Sequence, residues 1–418
     1  MKLTARSFTF STLTPDAHLL FGTRIARMFA YGFLSVVLAL YLAQAGLKET
    51  QIGLLLTLTL VGDTAISLWI TTNADRIGRR RMLIAGAGLM LFAGILFVLT
   101  RSFYLLLIAA TIGVISPSGN EVGPFLAIEQ ASLAQIVSHE RRTQLFAWYN
   151  LIGSFSTATG ALCGGGVAQL LQGGGVSPLD SYRAVVVGYS LIGLVLGLLF
   201  SRLSPVVEAA PSEIQTVAKR FGLHRSRKTV FKLAGLFSMD AFAGGFVVQA
   251  IVAYWFHARF GVAPGVLGAI FFGANVLAGI SALSAAWIAS KIGLINTMVF
   301  THLPSNVLLM MVPFMPTLPL AIGVLLLRFS ISQMDVPTRQ SYTMAVVSPD
   351  ERSAAAGVTG VARTIGASLS PVLTGPLLAS AALLSIPFFL AGALKIVYDL
   401  ALYRSFRAIK PPEEDMQS

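Results

Sequence analysis

Twelve times between residues 19 and 403 the chain enters a stretch of roughly twenty residues with little or no charge, the length a helix needs to cross a bilayer. The windows are 19–44, 51–72, 82–100, 103–134, 143–171, 182–203, 231–257, 264–289, 295–315, 318–346, 353–380 and 383–403. Few structures can absorb such a pattern, because lipid offers no hydrogen bonds to an open backbone. Helices satisfy themselves, and closed barrels would need ten-residue segments of alternating polarity, which are absent. Composition agrees. Apolar residues make up 55% and charged residues 11%, against roughly 25% charged in a soluble domain. The expected fold is an all-α membrane protein of twelve transmembrane helices. The fourth and tenth windows are long and interrupted by polar residues, so their extent is the least sharply defined.

The net charge of +12 would suggest nucleic acid in a soluble protein. Here the basic residues fall between spans, on alternate sides. One side receives Lys2, Arg6, the 76–81 loop, Arg141, Arg142, the 202–232 segment, Lys291, Arg352, Arg404, Arg407 and Lys410. The other receives Lys48, Arg101, Arg183 and Arg259. The positive-inside rule then puts the first side, with both termini, in the cytoplasm of a cell (inner) membrane protein. Met1–Asp16 has no apolar h-region, so no cleavable signal is expected. The lone cysteine, Cys163, lies in a Gly-rich apolar stretch and reads as a packed thiol.

The chain repeats itself in parallel. Val137-Ser138-His139-Glu140-Arg141-Arg142 matches Val347-Ser348-Pro349-Asp350-Glu351-Arg352 at an offset of 210, and the same register pairs Gly160–Gly165 with Ser370–Gly375. Ala74-Asp75-Arg76-Ile77-Gly78 matches Ala289-Ser290-Lys291-Ile292-Gly293 at 215. Two six-helix halves, 1–203 and 231–418, related by a parallel pseudo-two-fold and joined by a hydrophilic cytoplasmic linker at 204–230, follow from this. Such repeats with a site at the midplane are the architecture of alternating-access carriers.

Asp75-Arg76-Ile77-Gly78-Arg79-Arg80-Arg81, between spans two and three, resembles the signature loop G-x-x-x-D-R-x-G-R-[KR] of the major facilitator superfamily, and the resemblance extends over the whole chain. Thr71 stands where the leading glycine would be. The resemblance implies that Asp75, Arg76, Gly78 and Arg79 form a latch between the halves that releases as they rock. Independently of the family, Asp75 at a helix end can accept from free N–H groups of a neighbouring helix N-terminus. Gly160-Ala161-Leu162-Cys163-Gly164-Gly165 is similar to the G-P-x-x-G-G element of antiporters in the superfamily, with Ala161 in place of proline. The family's drug/proton antiporters commonly carry an acid in the first span, where this chain has arginines. Small residues at this spacing also serve close helix packing.

Charges inside spans are costly and therefore candidates for function. Span one carries Arg24, Arg27 and Tyr31 on one helix face. Span two has Asp63. Span four has Asn120, Glu121 and Glu129 around Pro117 and Pro124, and span seven has Asp240. Span ten has Arg328, Asp335 and Arg339, and span eleven has Arg363. Trp148, Tyr149 and Asn150 of span five, and Trp255 of span seven, add aromatic faces and an amide. The candidate substrate contacts are Arg24, Arg27, Tyr31, Glu121, Glu129, Trp148, Asn150, Asp335, Arg339 and Arg363. Glu121, Glu129 and Asp63 are the candidate proton carriers. Asp335 and Arg339 can pair within their helix. Glu129 and Arg339 occupy equivalent positions of the repeat with opposite signs, which suggests an ion pair between halves. Arg24 and Arg27 lie near enough to the cytoplasmic end to snorkel. The alternative is that these charges only neutralise one another.

No G-x-x-x-x-G-K-[ST] loop is present, and the five histidines form no ligand pair at helical spacing. Neither an enzyme, a cofactor nor a metal is expected. The leading expectation is a monomeric secondary transporter that exports small organic or amphiphilic molecules in exchange for protons. A carrier of anionic metabolites using the arginines is the alternative, and a membrane sensor or scaffold is a third.

Overall fold

The computed structural model describes residues 13–137, 139–208, 225–348 and 351–409. Lys2, Arg6, Lys410, the side chains of Arg141 and Arg142, and most of the linker lie outside the described residues. In chain order the helices are α1 (Pro15–Ser35), α2 (Leu38–Gln44), α3 (Glu49–Ile77), α4 (Arg79–Leu99), α5 (Phe103–Ile112), α6 (Phe125–Ile136), α7 (His139–Gly173) and α8 (Pro178–Ser201). Then come α9 (Arg227–Gly245), α10 (Gln249–Phe260), α11 (Pro264–Ile292), α12 (Leu294–Met311), α13 (Leu318–Phe329), α14 (Asp335–Ala345), α15 (Arg352–Leu378) and α16 (Ile386–Phe406). The described secondary structure is all helical.

These helices group into the twelve expected spans. Eight are long and apolar enough on their own, and α1 with α2 forms a ninth bent by 45°. The other three are α5 with α6, α13 with α14, and α15. The last is full length but diluted by Arg363, serines and threonines. Spans one, four, seven and ten, every third one, are each interrupted. The widest break is 113–124 in span four, where Gly119 and Gly123 take positive φ of 70° and 82° beside Pro117 and Pro124. Broken helices expose backbone carbonyls at membrane depth, which lipid forbids unless protein or water receives them. Here protein does so: Pro117 O accepts from the Ala250 N–H at 3.0 Å, joining the breaks of spans four and seven.

One end of the bundle gathers the described basic loops and the first and last described residues, 13 and 409; the opposite end is termed the far end. The halves meet through two crossings, α3 on α15 and α7 on α11. At the first, a Cβ on Gly53 would sit 2.5 Å from Pro371 O, and at the second a Cβ on Gly268 would sit 2.7 Å from Ala161 O. Backbone touches backbone there, as small residues in membrane helices permit. The two contacts are each other's image under the repeat, since Ala161 and Pro371 are equivalent. Among the described residues, the hydrogen bonds between halves lie between the middle and the far end. They are Tyr254 to Glu49 at 3.0 Å, Gly265 N to Gln169 at 2.8 Å, Val372 N to Thr57 at 2.8 Å, Gln249 to Ser35 at 2.8 Å, and Ala250 to Pro117. No described hydrogen bond joins the halves at the basic end.

Candidate functional site

Each half encloses a network of charges at mid-depth. In the first half, α1 presents Thr23, Arg24 and Arg27, one turn apart, to the carboxylates that span four delivers. Arg27 grips Glu129 with both terminal nitrogens at 2.7 Å, and its Nε donates to Glu121 at 2.9 Å. Thr23 donates to Glu129 at 2.8 Å, and the Tyr149 hydroxyl on α7 donates to its other oxygen. Arg24 pairs with Glu121. Phe125 and Tyr149 face the two guanidiniums at 4.8 Å. Arg27 and Glu129 are fully buried. Snorkelling is thus excluded: partners close at hand hold both arginines in the interior. Tyr31 donates to Val122 O at 3.0 Å and so braces the break of span four.

The second half differs in plan. Asp240 on α9 accepts from Lys395 of α16 at 2.5 Å and from Arg339 of α14 at 3.1 Å. Arg339 also pairs with Asp335 at 3.1 Å, the intrahelical pair its spacing predicts. Behind them, Asp399 accepts from His302 Nδ1 at 2.8 Å and from Asn306 at 2.9 Å. Arg328 and Arg363 have no ion-pair partner among the described residues, and the buried Nε of each has no hydrogen-bond partner. The expected Glu129–Arg339 pair does not form. Each group is already occupied within its own half, so equivalent positions in the repeat do not make a contact.

Four of these residues were missed in the sequence: His302, Asn306, Lys395 and Asp399. The signal was there, as two polar pairs four residues apart within apolar spans nine and twelve. Gln249 was also missed. It bridges Ser35 and Asn275 at 2.8 and 3.2 Å where the breaks of spans one, four and seven meet.

Other candidates scatter. Asp63 is buried, its nearest described hydroxyl is Ser67 at 3.4 Å, and it has no cationic partner among the described residues. Asn150 is exposed on α7. Trp148 shares a helical stripe with the exposed Phe155 and Leu162, on the lipid-facing side of α7. Trp255 is buried in an aromatic group with Phe256, Phe260 and Phe388 and donates to Ser385, which makes it a packing residue.

At the basic end Gly78, with φ of 118°, ends α3 and starts α4. Asp75 does not cap α4 through its backbone among the described residues; it pairs across the turn with the side chain of Arg79, the first residue of α4, at 2.7 Å. The cap on α4 is Glu208, which accepts from the Arg79 and Arg80 N–H groups at 2.6 and 3.2 Å. Arg79 reaches on to Gln135 and Val207 O, at 2.7 and 3.2 Å. Arg76 is exposed. Thus the first residues after span six are fastened to the signature loop. A matching cap occurs in the second half, where Glu351 accepts from Arg225 N and Ser226 N, both at 2.8 Å.

A helical bundle of two repeated halves with broken spans at its centre has the plan of a secondary transporter that works by alternating access. The Major Facilitator Superfamily model matches residues 20–371, and the chain belongs to that family. It is 30% identical over 430 residues to the "uncharacterized membrane protein YJR124C" of Saccharomyces cerevisiae, with 96% of each chain covered. Its fold is similar to that of a bacterial homologue of the human lysosomal transporter Spinster, solved inward-facing and occupied. That similarity has a TM-score of 0.71 at 15% identity, covering 94% of this chain and 96% of the other. A D-xylose–proton symporter gives a TM-score of 0.71 at 14% identity, covering 93% and 97%.

Proposed function

We propose that this chain is a proton-coupled exporter of small organic, amphiphilic molecules, with halves 1–203 and 231–418 rocking about the far-end crossings and 204–230 linking them. The basic end, where no described hydrogen bond joins the halves, then faces the cytoplasm. The observation that carries the coupling is Asp63, a buried carboxylate at mid-depth with no cation to hold it ionised. A secondary carrier needs such a group to bind a proton when shielded and release it when exposed. Glu121, partly exposed and shared by Arg24 and Arg27, is the second carrier proposed; Glu129, with every lone pair engaged, serves as the fixed point of the pair. Export is proposed on the resemblance of Gly160–Gly165 to the antiporter element. Those glycines also pack α7 against the Phe29 and Phe33 carbonyls, a need independent of direction. Asp75, Arg76, Gly78 and Arg79 are proposed to latch the basic end when it closes, and Arg24, Arg27, Tyr31, Asn150, Asp335, Arg339 and Arg363 to line the path. The carrier is taken to work as a monomer.

The experiment is proton movement in proteoliposomes carrying an internal pH dye, with solute gradients imposed in each direction. Asp63→Asn fixes the neutral form, so solute exchange should continue while solute-driven proton movement stops. Coupled proton movement surviving in both Asp63→Asn and Glu121→Gln would remove the proton assignment.

A second reading, a carrier of anions, is favoured by one specific observation: the surplus of positive charge in the second half.

A further inference from the structure

We infer that Arg328 and Arg363 form the binding site for the anionic head of the transported molecule, a carboxylate or a phosphate monoester with an organic body. The inference rests on the transporter reading above and names its substrate class.

The argument begins with pairing. In the second half Asp240 and Asp335 are matched by Arg339 and Lys395, and Asp399 is held by His302 and Asn306. That leaves Arg328 and Arg363 with no carboxylate of their own. Both lie within electrostatic reach of Asp240 and Asp335, yet neither bonds to them. Arg328 meets the face of Phe329 at 4.9 Å, and both arginines are half-buried; a cation left without a carboxylate at mid-depth is still costly to keep. In the first half, by contrast, each of the two arginines has found a carboxylate.

Position gives the second part. Arg363 lies eleven residues from the start of α15 and Arg328 ten from the start of α13, entering from opposite ends. At the helical rise both are about 15 Å deep, near the midplane. On α15, Ile365, Leu369 and Leu373 form the exposed lipid stripe. Arg363 lies on the opposite face with Ala356 and Gly360, which are exposed as well. Exposure on the face away from lipid marks the cavity between the halves. Arg328 lies on the inward face of α13 with the buried Ala321 and Leu325, and the buried Ser332 follows in the break of span ten. The Ser332 hydroxyl also lacks a partner.

Chemistry supplies the class. Two guanidiniums with unused N–H groups match the paired oxygens of a carboxylate or phosphate, which a lysine could not do in the same fork geometry. A dianion neutralises both. The arginines thus trade stability of the empty protein for affinity.

The test uses purified full-length protein and four probes with one phenyl body: phenyl phosphate, benzoate, benzyl alcohol and benzylamine. Binding is read by calorimetric titration and thermal stabilisation. Phenyl phosphate should bind tightest and benzoate next, with benzyl alcohol and benzylamine at least tenfold weaker. Arg328→Gln and Arg363→Gln should each weaken phenyl phosphate binding at least tenfold, and together abolish it. The empty variants should unfold at or above the wild-type temperature, since each loses a half-buried cation that has no carboxylate partner among the described residues. Arg→Lys at either position should bind phenyl phosphate with intermediate affinity. The inference is overturned if benzylamine binds as well as phenyl phosphate, or if the double variant binds phenyl phosphate like wild type. It is overturned too if the glutamine variants melt lower while anion affinity is unchanged, the behaviour of structural arginines. Anion binding lost in the variants without any proton movement on transport would leave the site standing and remove the proton-coupling reading alone.

Discussion

The two halves share an ancestry of sequence and a plan of helices, yet they manage buried charge in opposite ways. In the first half two arginines meet two glutamates, and every oxygen of Glu129 has a donor. In the second, three aspartates are shared among Arg339, Lys395 and His302, and two arginines are left over. A closed network of this kind fixes geometry, because any shift would strand a charge. An open one awaits something from outside. On the inference that Arg328 and Arg363 hold an anion, the first half serves as frame and the second as receiver.

The largest effect should come from breaking the frame. Glu129→Gln leaves Arg27 without its bidentate partner in a dry interior, which costs about 3–5 kcal/mol. Thermal unfolding of the purified protein checks this. Replacing Arg27 and Glu129 together by methionine should cost less than either change alone, and losses that simply add would end the frame argument. A smaller effect is expected in the receiver. Lys395→Met leaves Asp240 with Arg339, so the loss should be about 1–3 kcal/mol. A loss as large as that of Glu129→Gln would show the second network to be as tightly closed as the first. The smallest stability change is expected at the basic end. Asp75 is half-exposed and pairs only with its own turn, so Asp75→Asn should cost below about 0.5 kcal/mol. Turnover in proteoliposomes should nonetheless fall several-fold if Asp75 latches the closed basic end; unchanged turnover removes that role.

Span count and boundaries were legible because lipid imposes a length and a composition on each crossing. The broken fourth and tenth spans announced themselves through Pro117, Pro124 and the polar residues around Asp335. The bends at Val36–Val37 and at Phe246–Val248 did not, since no proline or charge marks them. Candidate charges were equally visible, and the Asp335–Arg339 pair followed from spacing within one helix. Partners on different helices were not legible. Pairing Glu129 with Arg27 rather than Arg339 depends on how α1 and α6 are rotated and how deep the break of span four sits. Lys395 and Asp399 went unnoticed for a related reason: they sit in the last span, where charge resembles a topology signal. The cap supplied by Glu208 could not be seen either, because the carboxylate is 129 residues from the amide it caps.

The glycine crossings at the far end also have a mechanical meaning. Contact of bare backbone leaves no side chain to interlock, so Gly53 against Pro371 and Gly268 against Ala161 act as a pair of fulcrums placed near one end of long rods. From Gly53 to the end of α3 at Ile77 the rod runs about 36 Å at the usual helical rise. A tilt of about 10° at the fulcrum therefore swings the basic end by roughly 6 Å, with little sliding at the contact itself. The molecule gains leverage by keeping its smallest residues where motion is least, and an added methyl group there would act as a wedge far larger in effect than its size.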